Sequence, residues 1–210
     1  MKLIFRDFQD LHDLSGFLTR AKRLDEAGLV KLKAFGNILG VYVSPIFSGN
    51  LLDSGPTIIG LRTLELAQPS EVDSSFEISA ILERIAAAGE DLELKLPPVT
   101  SRAAWTGVTP PRTDWQLEES VSQEQLTQWA KNGIAEVGSS LPDSIGSAIA
   151  QKVRSQIWGK LVGANVPFPA GCAFAAVGLG FMSPRESVQV FSNKGWVRLS
   201  SKHGHVLARV

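Results

Sequence analysis

The end of the chain constrains the fold most, because three short β-type segments there are separated by two glycine-containing turns. The segments are residues 188–191, 196–200 and 206–210, and the turns are Asn193-Lys194-Gly195 and Lys202-His203-Gly204. Short turns of this composition join neighbouring antiparallel strands. The chain is therefore predicted to end in a three-strand antiparallel meander.

The first half begins with a helical pattern and continues with strand patterns. Leucine and alanine recur at helical spacing over residues 8–23, which predicts a first helix. Apolar residues alternate with lysines over residues 29–35, and a second strand pattern covers residues 39–44. Gly36-Asn37 between the two patterns is typical of a two-residue hairpin turn. We therefore predict a helix followed by a hairpin.

A further strand, a second helix and a short strand complete the first half. Residues 57–66 have a strand pattern, and Ser74 with Glu77 has the spacing of a capping box at a helix start. Gly89 supplies a stop for that helix, and residues 92–96 alternate as a strand that two prolines end. The predicted order of the N-terminal half is α-β-β-β-α-β.

The second half is predicted to be helical up to the meander. One capped helix starts after Ser122, and another follows Pro142. Residues 170–182 are apolar on every side, which is typical of a buried central helix. Strands and helices thus occupy separate parts of the sequence, and the predicted fold class is α+β.

A stretch rich in proline and tryptophan separates the two halves. Residues 97–121 are interpreted as a connection between a mixed α/β half, residues 1–96, and a half with helices and the β-meander, residues 122–210. The two halves form either separate domains or one compact domain overall, and the sequence leaves both arrangements open.

Cysteine usage and missing motifs exclude several chemistries. The single cysteine, Cys172, cannot form an internal disulfide, and its place in an apolar helix predicts a buried, unreactive thiol. The sequence has no P-loop, no dinucleotide-binding glycine motif, no nucleophile elbow and no zinc-binding HExxH helix. His203 and His205 are interpreted as turn residues, because no third metal ligand stands near them. We therefore predict no metal and no cofactor.

The apolar runs are too short to cross a membrane. The longest uncharged run covers residues 167–182, fewer than the ~20 residues that a spanning helix needs. Charged residues near the N-terminus interrupt any signal-peptide core. We therefore expect a soluble cytoplasmic protein without a membrane partner.

The segment from Trp105 to Trp115 holds the best binding candidates. Pro110-Pro111 stiffens the chain just before Arg112, and tryptophan and arginine are enriched at the energetic centres of protein interfaces. We therefore take Trp105, Arg112 and Trp115 as candidate binding residues. The other interpretation is that both indoles anchor the connection onto the body of the protein.

Charge is unevenly distributed although the net charge is zero. Residues 65–143 carry five basic and fourteen acidic residues, whereas residues 144–210 carry eight basic and one acidic residue. A basic C-terminal third suits non-specific nucleic-acid binding. Specific DNA reading is not expected, because residues 170–182, the candidate reading helix, have no charged or amide side chain. The candidate nucleic-acid residues are Lys152, Arg154, Lys160, Arg185, Lys194, Arg198 and Lys202.

Several short motifs resemble those of a family of uncharacterised actinobacterial proteins. They are Trp105-x-Gly107, Pro111-Arg112 and Trp115, followed by Gly180-Phe181 and Trp196-Val197-Arg198-Leu199. The resemblance spans most of the chain and implies a shared fold. No activity is known for that family, so the resemblance assigns a role to no residue.

The sequence therefore identifies no substrate, and three functions stay open. The missing catalytic motifs and the Trp105–Trp115 segment favour a non-catalytic cytoplasmic protein that binds a protein partner or forms a homo-oligomer. The second interpretation is an enzyme with an unfamiliar site built from Arg112, Asp114, His203 and His205. The third is non-specific nucleic-acid binding through the basic C-terminal third.

Overall fold

A computed structural model describes residues 1–47, 55–89, 91–107, 109–141, 146–183 and 185–210. The chain divides into two compact units. The first unit comprises Met1–Pro45 and Leu61–Thr106, and the second comprises Ile46–Gly60 and Gly107–Val210. None of the helices in these described segments is long and apolar enough to span a bilayer.

The first unit is built from two helices and five strands within the described residues. A two-stranded antiparallel sheet joins its first and last strands, and the three other strands lie side by side in the order β4-β2-β3. The elements are β1 (Lys2–Ile4), α1 (Phe8–Leu24), β2 (Leu29–Ile46), β3 (Ile58–Ser70), β4 (Asp73–Glu77), α2 (Ile78–Ala88) and β5 (Glu93–Lys95), followed by a short 3-10 helix, Ala104–Gly107.

The helix α1 forms where its sequence supplies both a cap and an apolar stripe. The carboxylate of Asp7 accepts a hydrogen bond from the backbone N–H of Asp10, which satisfies one of the free donors at the helix start. Helix α1 contacts α2. The buried stripe of α1 comprises Leu11, Leu14, Phe17, Leu18 and Ala21.

The second unit combines three helices with a four-stranded antiparallel arrangement in the order β11-β10-β9-β6. A further pair of two-residue strands, β7 and β8, lies just before the last helix. The elements are β6 (Gln116–Val121), α3 (Gln123–Ser140), α4 (Ser147–Gly159), β7 (Leu161–Val162), β8 (Phe168–Pro169), α5 (Ala170–Gly178), β9 (Val188–Asn193), β10 (Trp196–Ser201) and β11 (Gly204–Arg209).

Helix α5 is the centre of the second unit, and it contacts α3, α4 and β11. It holds Cys172 fully buried, as its apolar sequence predicts. Small residues allow close approach among these helices. A Cβ atom on Gly133 of α3 would lie closer than 3.0 Å to the indole ring of Trp158 of α4. The packing of α3 against α4 therefore requires a glycine at position 133, where the indole ring of Trp158 lies.

The α+β class and the final meander are confirmed, and the order α-β-β-β-α-β is found after an additional first strand, β1, but some elements have other boundaries. Residues 29–46 form one strand rather than a hairpin, because Gly36 adopts a positive φ of 63° without reversing the chain. Ser74 and Glu77 are not a capping box, because they lie in β4, and α2 begins at Ile78 with no side-chain cap. The predicted helix stop at Gly89 is correct, with φ at 59°.

The helices of the second half also differ from expectation in detail. The apolar run ends its helix at Gly178 rather than at Met182. Phe174 is half-buried against Trp158, with ring centroids 4.5 Å apart, and is not at the fully buried centre. Pro142, expected to precede α4, lies outside the described residues, and that helix begins at Ser147.

Candidate binding site

The three candidate binding residues fall into both units. Trp105 lies in the 3-10 helix of the first unit and is only 5% exposed. Arg112 is exposed and Trp115 is half-buried, and both lie in the second unit just before β6. The accessible part of the predicted segment therefore belongs to the second unit.

The loop that carries Arg112 is held by one hydrogen bond within the loop and one from β9. The indole Nε1–H of Trp115 donates to the carbonyl oxygen of Pro111 at 3.1 Å. The side-chain amide of Asn193 donates to the carbonyl oxygen of Thr113 at 2.7 Å. Asp114 adopts a positive φ of 62°, a conformation that Asn and Asp tolerate better than most residues. These contacts fix Trp115 above the end of the meander.

Trp115 and Phe191 surround the side chain of Arg198. The guanidinium carbon lies 4.7 Å from the ring centroid of Trp115 and 4.3 Å from that of Phe191. Phe191 of β9 stands directly opposite Arg198 of β10 in the antiparallel register, so the sheet itself holds this pair together. We call these three residues the Arg198 cluster.

The Arg198 side chain has hydrogen-bonding capacity that the cluster does not use. Its Nε atom is buried and has no hydrogen-bond partner, whereas aromatic faces attract the charge without accepting conventional hydrogen bonds. Burial lowers the pKa of the Arg198 guanidinium. Among the described residues, no carboxylate forms an ion pair with it. The cluster thus holds a partly desolvated cation without an acid.

One row of side chains crosses the sheet at this point. Leu117, Phe191, Arg198 and Leu207 are paired in register on four neighbouring strands. Leu117 of the outermost strand β6 is 58% exposed, whereas Leu207 is buried. The row therefore offers an exposed apolar side chain, an aromatic ring and a cation in succession.

The acidic residues of β6 are engaged elsewhere. A bulge in the register between Leu117 and Glu119 interrupts the pairing of this strand with β9. Glu118 accepts a hydrogen bond from the hydroxyl of Ser192. Glu119 accepts one from the backbone N–H of Val166 at 3.1 Å. Neither carboxylate neutralises the Arg198 cluster.

The residues of the alternative enzymatic site occupy two places in the second unit. Arg112 and Asp114 lie on the loop before β6, and the Asp114 carboxylate accepts from the hydroxyl of Thr113 at 3.0 Å. His205 lies on β11, where its Nδ1 is 2.9 Å from the hydroxyl of Ser200. Burial, followed by the charge of Arg198, lowers the pKa of His205 to about 4. His205 is therefore neutral and weakly basic at pH 7.

Other chemistry-bearing groups do not assemble a site. Within the described ranges no group of three His, Cys, Asp or Glu residues could hold a metal ion. Burial raises the pKa of the Cys172 thiol, so it is not a thiolate nucleophile. A cavity of about 570 Å³ in the first unit is lined by Lys31, Asp73, Arg102 and several hydroxyl side chains.

Some of the basic residues proposed for nucleic-acid binding are already paired. Lys160 forms an ion pair with Glu136 of α3. Lys202 lies 2.5 Å from Glu186. Arg198, a third member of the set, contacts the rings of Trp115 and Phe191.

Sequence reasoning placed Arg198 only among the basic residues and missed Phe191. The signal that could have found the pair is the turn between β9 and β10. Lys194 and Gly195 both have positive φ, as a two-residue hairpin turn requires, and this turn fixes Phe191 opposite Arg198. A two-residue turn at Lys194-Gly195 pairs Asn193 with Trp196, and two residues further along each strand this register pairs Phe191 with Arg198.

Family models match both parts of the sequence. Residues 1–107 match a domain of unknown function, DUF8010, and residues 110–210 match a second domain of unknown function, DUF8185. The chain belongs to the DUF8010 family, whose match covers half of it. The boundary between the two matches lies beside the crossing between the units after Thr106, although Ile46–Gly60 of the first match belongs to the second unit. No curated protein matches the sequence. An actinobacterial origin stays a prediction.

Solved structures with the same fold are subunits of bacterial DNA polymerases. A putative DNA polymerase III beta subunit from Eubacterium rectale aligns with a TM-score of 0.57 at 11% identity. A DNA polymerase sliding clamp from Pseudomonas aeruginosa gives 0.55 at 11%, and the beta subunit from Thermotoga maritima gives 0.54 at 12%. Each alignment covers all of this chain and 64% of the other chain. At such identities the likeness shows a clamp-like fold alone.

Proposed function

We propose that this member of the DUF8010 family is a non-catalytic binding protein that uses a clamp-like fold to present the Arg198 cluster to a protein partner. The observation that carries the proposal is an ordered arginine, held between Trp115 and Phe191, whose Nε has no hydrogen-bond partner. Tryptophan and arginine are the residues most enriched where binding energy concentrates. A cytoplasmic location is part of this proposal.

The three candidate residues have different roles in this proposal. Trp115 and Arg112 contact the partner, because one is half-buried and the other exposed on the same ordered loop. Trp105, buried in the first unit, supports the chain just before that loop and does not touch the partner. A structural connection would not require an arginine with unused donors beside an exposed leucine.

A selection from a phage-displayed library of random peptides tests the proposal. We expect peptides to be enriched on the wild-type chain and to bind about tenfold or more weakly to Trp115→Ala, because hot-spot truncations cost at least that much. Arg112→Ala should weaken binding in the same direction. Arg20→Ala, an exposed arginine of α1, is the matched control and should bind like the wild type.

The measurement is the dissociation constant of each selected peptide by fluorescence anisotropy, with circular dichroism to verify folding. Failure to enrich any peptide contradicts the proposal. Equal binding by a folded Trp115→Ala variant contradicts it as well. A second copy of the chain as the partner would appear as a dimer in sedimentation velocity, which Trp115→Ala should convert to monomer.

A second candidate function is non-specific DNA binding, and the likeness to DNA polymerase subunits favours it. The C-terminal third is basic, but Lys160 and Lys202 are ion-paired. Retention of a duplex oligonucleotide that falls steeply with rising salt would support this candidate, because phosphate contacts release counterions. Retention with the same affinity for every sequence is expected, and sequence-selective retention would contradict the prediction against specific DNA binding.

A further inference from the structure

We infer that the Arg198 cluster is a receptor for a carboxylate, and that the partner is a protein segment that carries an acidic side chain about three residues away from an apolar one on the same face. This inference rests on the proposed function. It specifies the chemistry of the partner at the same site.

The first step is the geometry of the guanidinium donors. Arginine donates hydrogen bonds in the plane of its guanidinium group, in a fork that matches a carboxylate. Trp115 and Phe191 lie within 4.7 Å of the guanidinium carbon and restrict the rotation of the side chain. The rings accept no conventional hydrogen bond, and they hold the guanidinium in a fixed orientation. Because Nε is buried, the terminal Nη groups are the donors that an external ligand can reach. A planar acceptor with two oxygens is the ligand that fits them.

The second step is the charge around the cluster. The three strands β9, β10 and β11 carry no aspartate or glutamate, whereas Arg198 and Arg209 lie within them. Glu118 and Glu119 of the adjacent strand are hydrogen-bonded to other groups. A partly buried cation without a counter-charge is costly, and an external carboxylate removes that cost. The compensating acid therefore comes from another molecule.

The third step separates a protein segment from a nucleic acid. The acidic residues Asp114, Glu118 and Glu119 lie along the loop and strand beside the cluster. They oppose a run of phosphates, which brings one negative charge per nucleotide, more strongly than a segment with a single carboxylate. Leu117, in the same row, is 58% exposed and gives an apolar contact that a phosphate backbone does not use. One isolated cation beside an exposed leucine suits a peptide with one acid and one apolar side chain.

The register gives the spacing of those two side chains. Leu117 and Arg198 are separated by one intervening strand, β9. Two strand spacings of about 4.8 Å give about 10 Å, which is about three residues of a peptide in the polyproline II conformation, where residues three apart also lie on the same face. A peptide that crosses the strands should therefore place its acidic and apolar residues three positions apart.

The experiment uses the full-length ¹⁵N-labelled chain and two blocked tetrapeptides, acetyl-Glu-Ala-Ala-Leu-amide and its glutamine counterpart. The side-chain Nε–H signal of Arg198 and the indole N–H signal of Trp115 are followed by NMR during titration. We expect the glutamate peptide to shift both signals and to bind about tenfold or more tightly than the glutamine peptide, because charge-assisted hydrogen bonds are the stronger ones.

Variants of the arginine sharpen the test. Arg198→Gln should abolish the preference for glutamate, and Arg198→Lys should keep only part of it, because lysine retains the charge but not the fork. Arg209→Gln removes an exposed cation of β11 and should leave the preference unchanged. If Arg198→Gln does not fold, the comparison rests on Arg198→Lys and on the two peptides with the wild-type chain.

Three outcomes distinguish this inference from the proposed function. If selected peptides depend on Trp115 but the two tetrapeptides bind equally, the carboxylate receptor is wrong and the binding function stands. If an oligothymidylate shifts the Arg198 signal at lower concentration than the glutamate peptide, the receptor binds phosphate and the inference is overturned. If neither the selected peptides nor the tetrapeptides bind, both proposals fail.

Discussion

The two units differ in whether a carboxylate balances the charge of a cation on a β-strand. In the first unit, Lys31 and Lys33 of β2 share the carboxylate of Asp73, at 3.0 and 2.7 Å. In the second unit, Arg198 contacts two aromatic rings and forms no ion pair with any acid of the described residues. The ammonium of Lys33 also lies over a ring, that of Phe35 at 5.5 Å, so the presence of an aromatic neighbour is not the difference.

The difference lies in whether the charge is balanced inside the unit. The lysines lower the pKa of Asp73, chiefly through the hydrogen bond from Lys33, and the three charges form a closed local network. Arg198 receives electrostatic attraction from the rings but keeps unused donors. A balanced cluster stabilises its own unit, whereas an unbalanced and preorganised one is suited to bind something else. The comparison thus agrees with the proposed binding function of the second unit.

The largest expected effect comes from disturbing the start of β11, the strand that pairs with the Arg198 strand β10. Gly204, the first residue of β11, has a φ of 152°, and a Cβ atom there would meet the ring of Phe181 closer than 3.0 Å. Gly204→Ala should therefore destabilise the chain by about 3 kcal/mol, from overpacking together with backbone strain. Urea unfolding followed by circular dichroism measures the loss.

The matched control for that variant lies in the first unit. Gly36 also has a positive φ, 63°, but nothing lies within 4 Å of the position of its Cβ. Gly36→Ala should lower the free energy of unfolding by only about 1 kcal/mol, which is the strain of an L-residue in the left-handed conformation. Equal losses for the two variants would show that the contact with Phe181 does not hold the turn.

The second prediction concerns acid sensitivity of the second unit. The pKa of His205 is about 4 in the folded chain and 6.5 in the unfolded chain. As pH falls below 6.5 the unfolded state takes up the proton first, so stability is fully present above 6.5 and is lost towards pH 4. This group alone should make the chain about 2 kcal/mol less stable at pH 5 than at pH 8.

His205→Gln checks the assignment, because glutamine keeps a polar contact with Ser200 and binds no proton in this range. The free energy of unfolding of the variant should fall less between pH 8 and pH 5 than that of the wild type, by about the same 2 kcal/mol. Identical slopes for wild type and variant would show that His205 is protonated as readily in the folded chain as in the unfolded one.

The smallest effect is expected for the balanced cluster. Asp73→Asn should destabilise the first unit by about 1 kcal/mol at neutral pH, because the three side chains are partly exposed and solvent screens them. The pKa of Asp73 is lowered on folding, so its contribution is present above the unfolded carboxyl pKa and is lost as pH falls through the folded pKa.

Urea unfolding at pH 7 and again at pH 3 measures the Asp73 contribution. The difference between wild type and Asp73→Asn should shrink at the lower pH as the carboxylate becomes protonated. A variant that is more stable than the wild type at pH 7 would show that the lysines do not need this acid, and the contrast with Arg198 would disappear.

Periodicity and turn chemistry were sufficient to predict the class and the meander. The two turns of the meander are specified by residues next to each other in the sequence, so strand order and direction follow from local information. The single strand at residues 29–46 was not predictable in the same way. Gly36-Asn37 has the composition of a turn, but the strand continues through it although Gly36 has a φ of 63°.

The candidate site was predictable only in part. The composition of the Trp105–Trp115 segment indicated Trp115 and Arg112 as candidate binding residues, and both lie on the ordered loop. The contact of Trp115 with Arg198 joins residues far apart in sequence, and it depends on how the loop lies over the sheet. Composition identifies residue types suited to binding, but their side chains meet only through register and loop geometry.

Because Cys172 is buried, its thiol can serve as a native probe of local opening in the second unit. Because the thiol lies within α5 and its pKa is raised, a thiol reagent can modify it only during transient opening of that helix. The rate of modification under native conditions therefore measures how often the interior of the second unit opens. Since the chain has no other cysteine, the signal comes from one position without any engineered label.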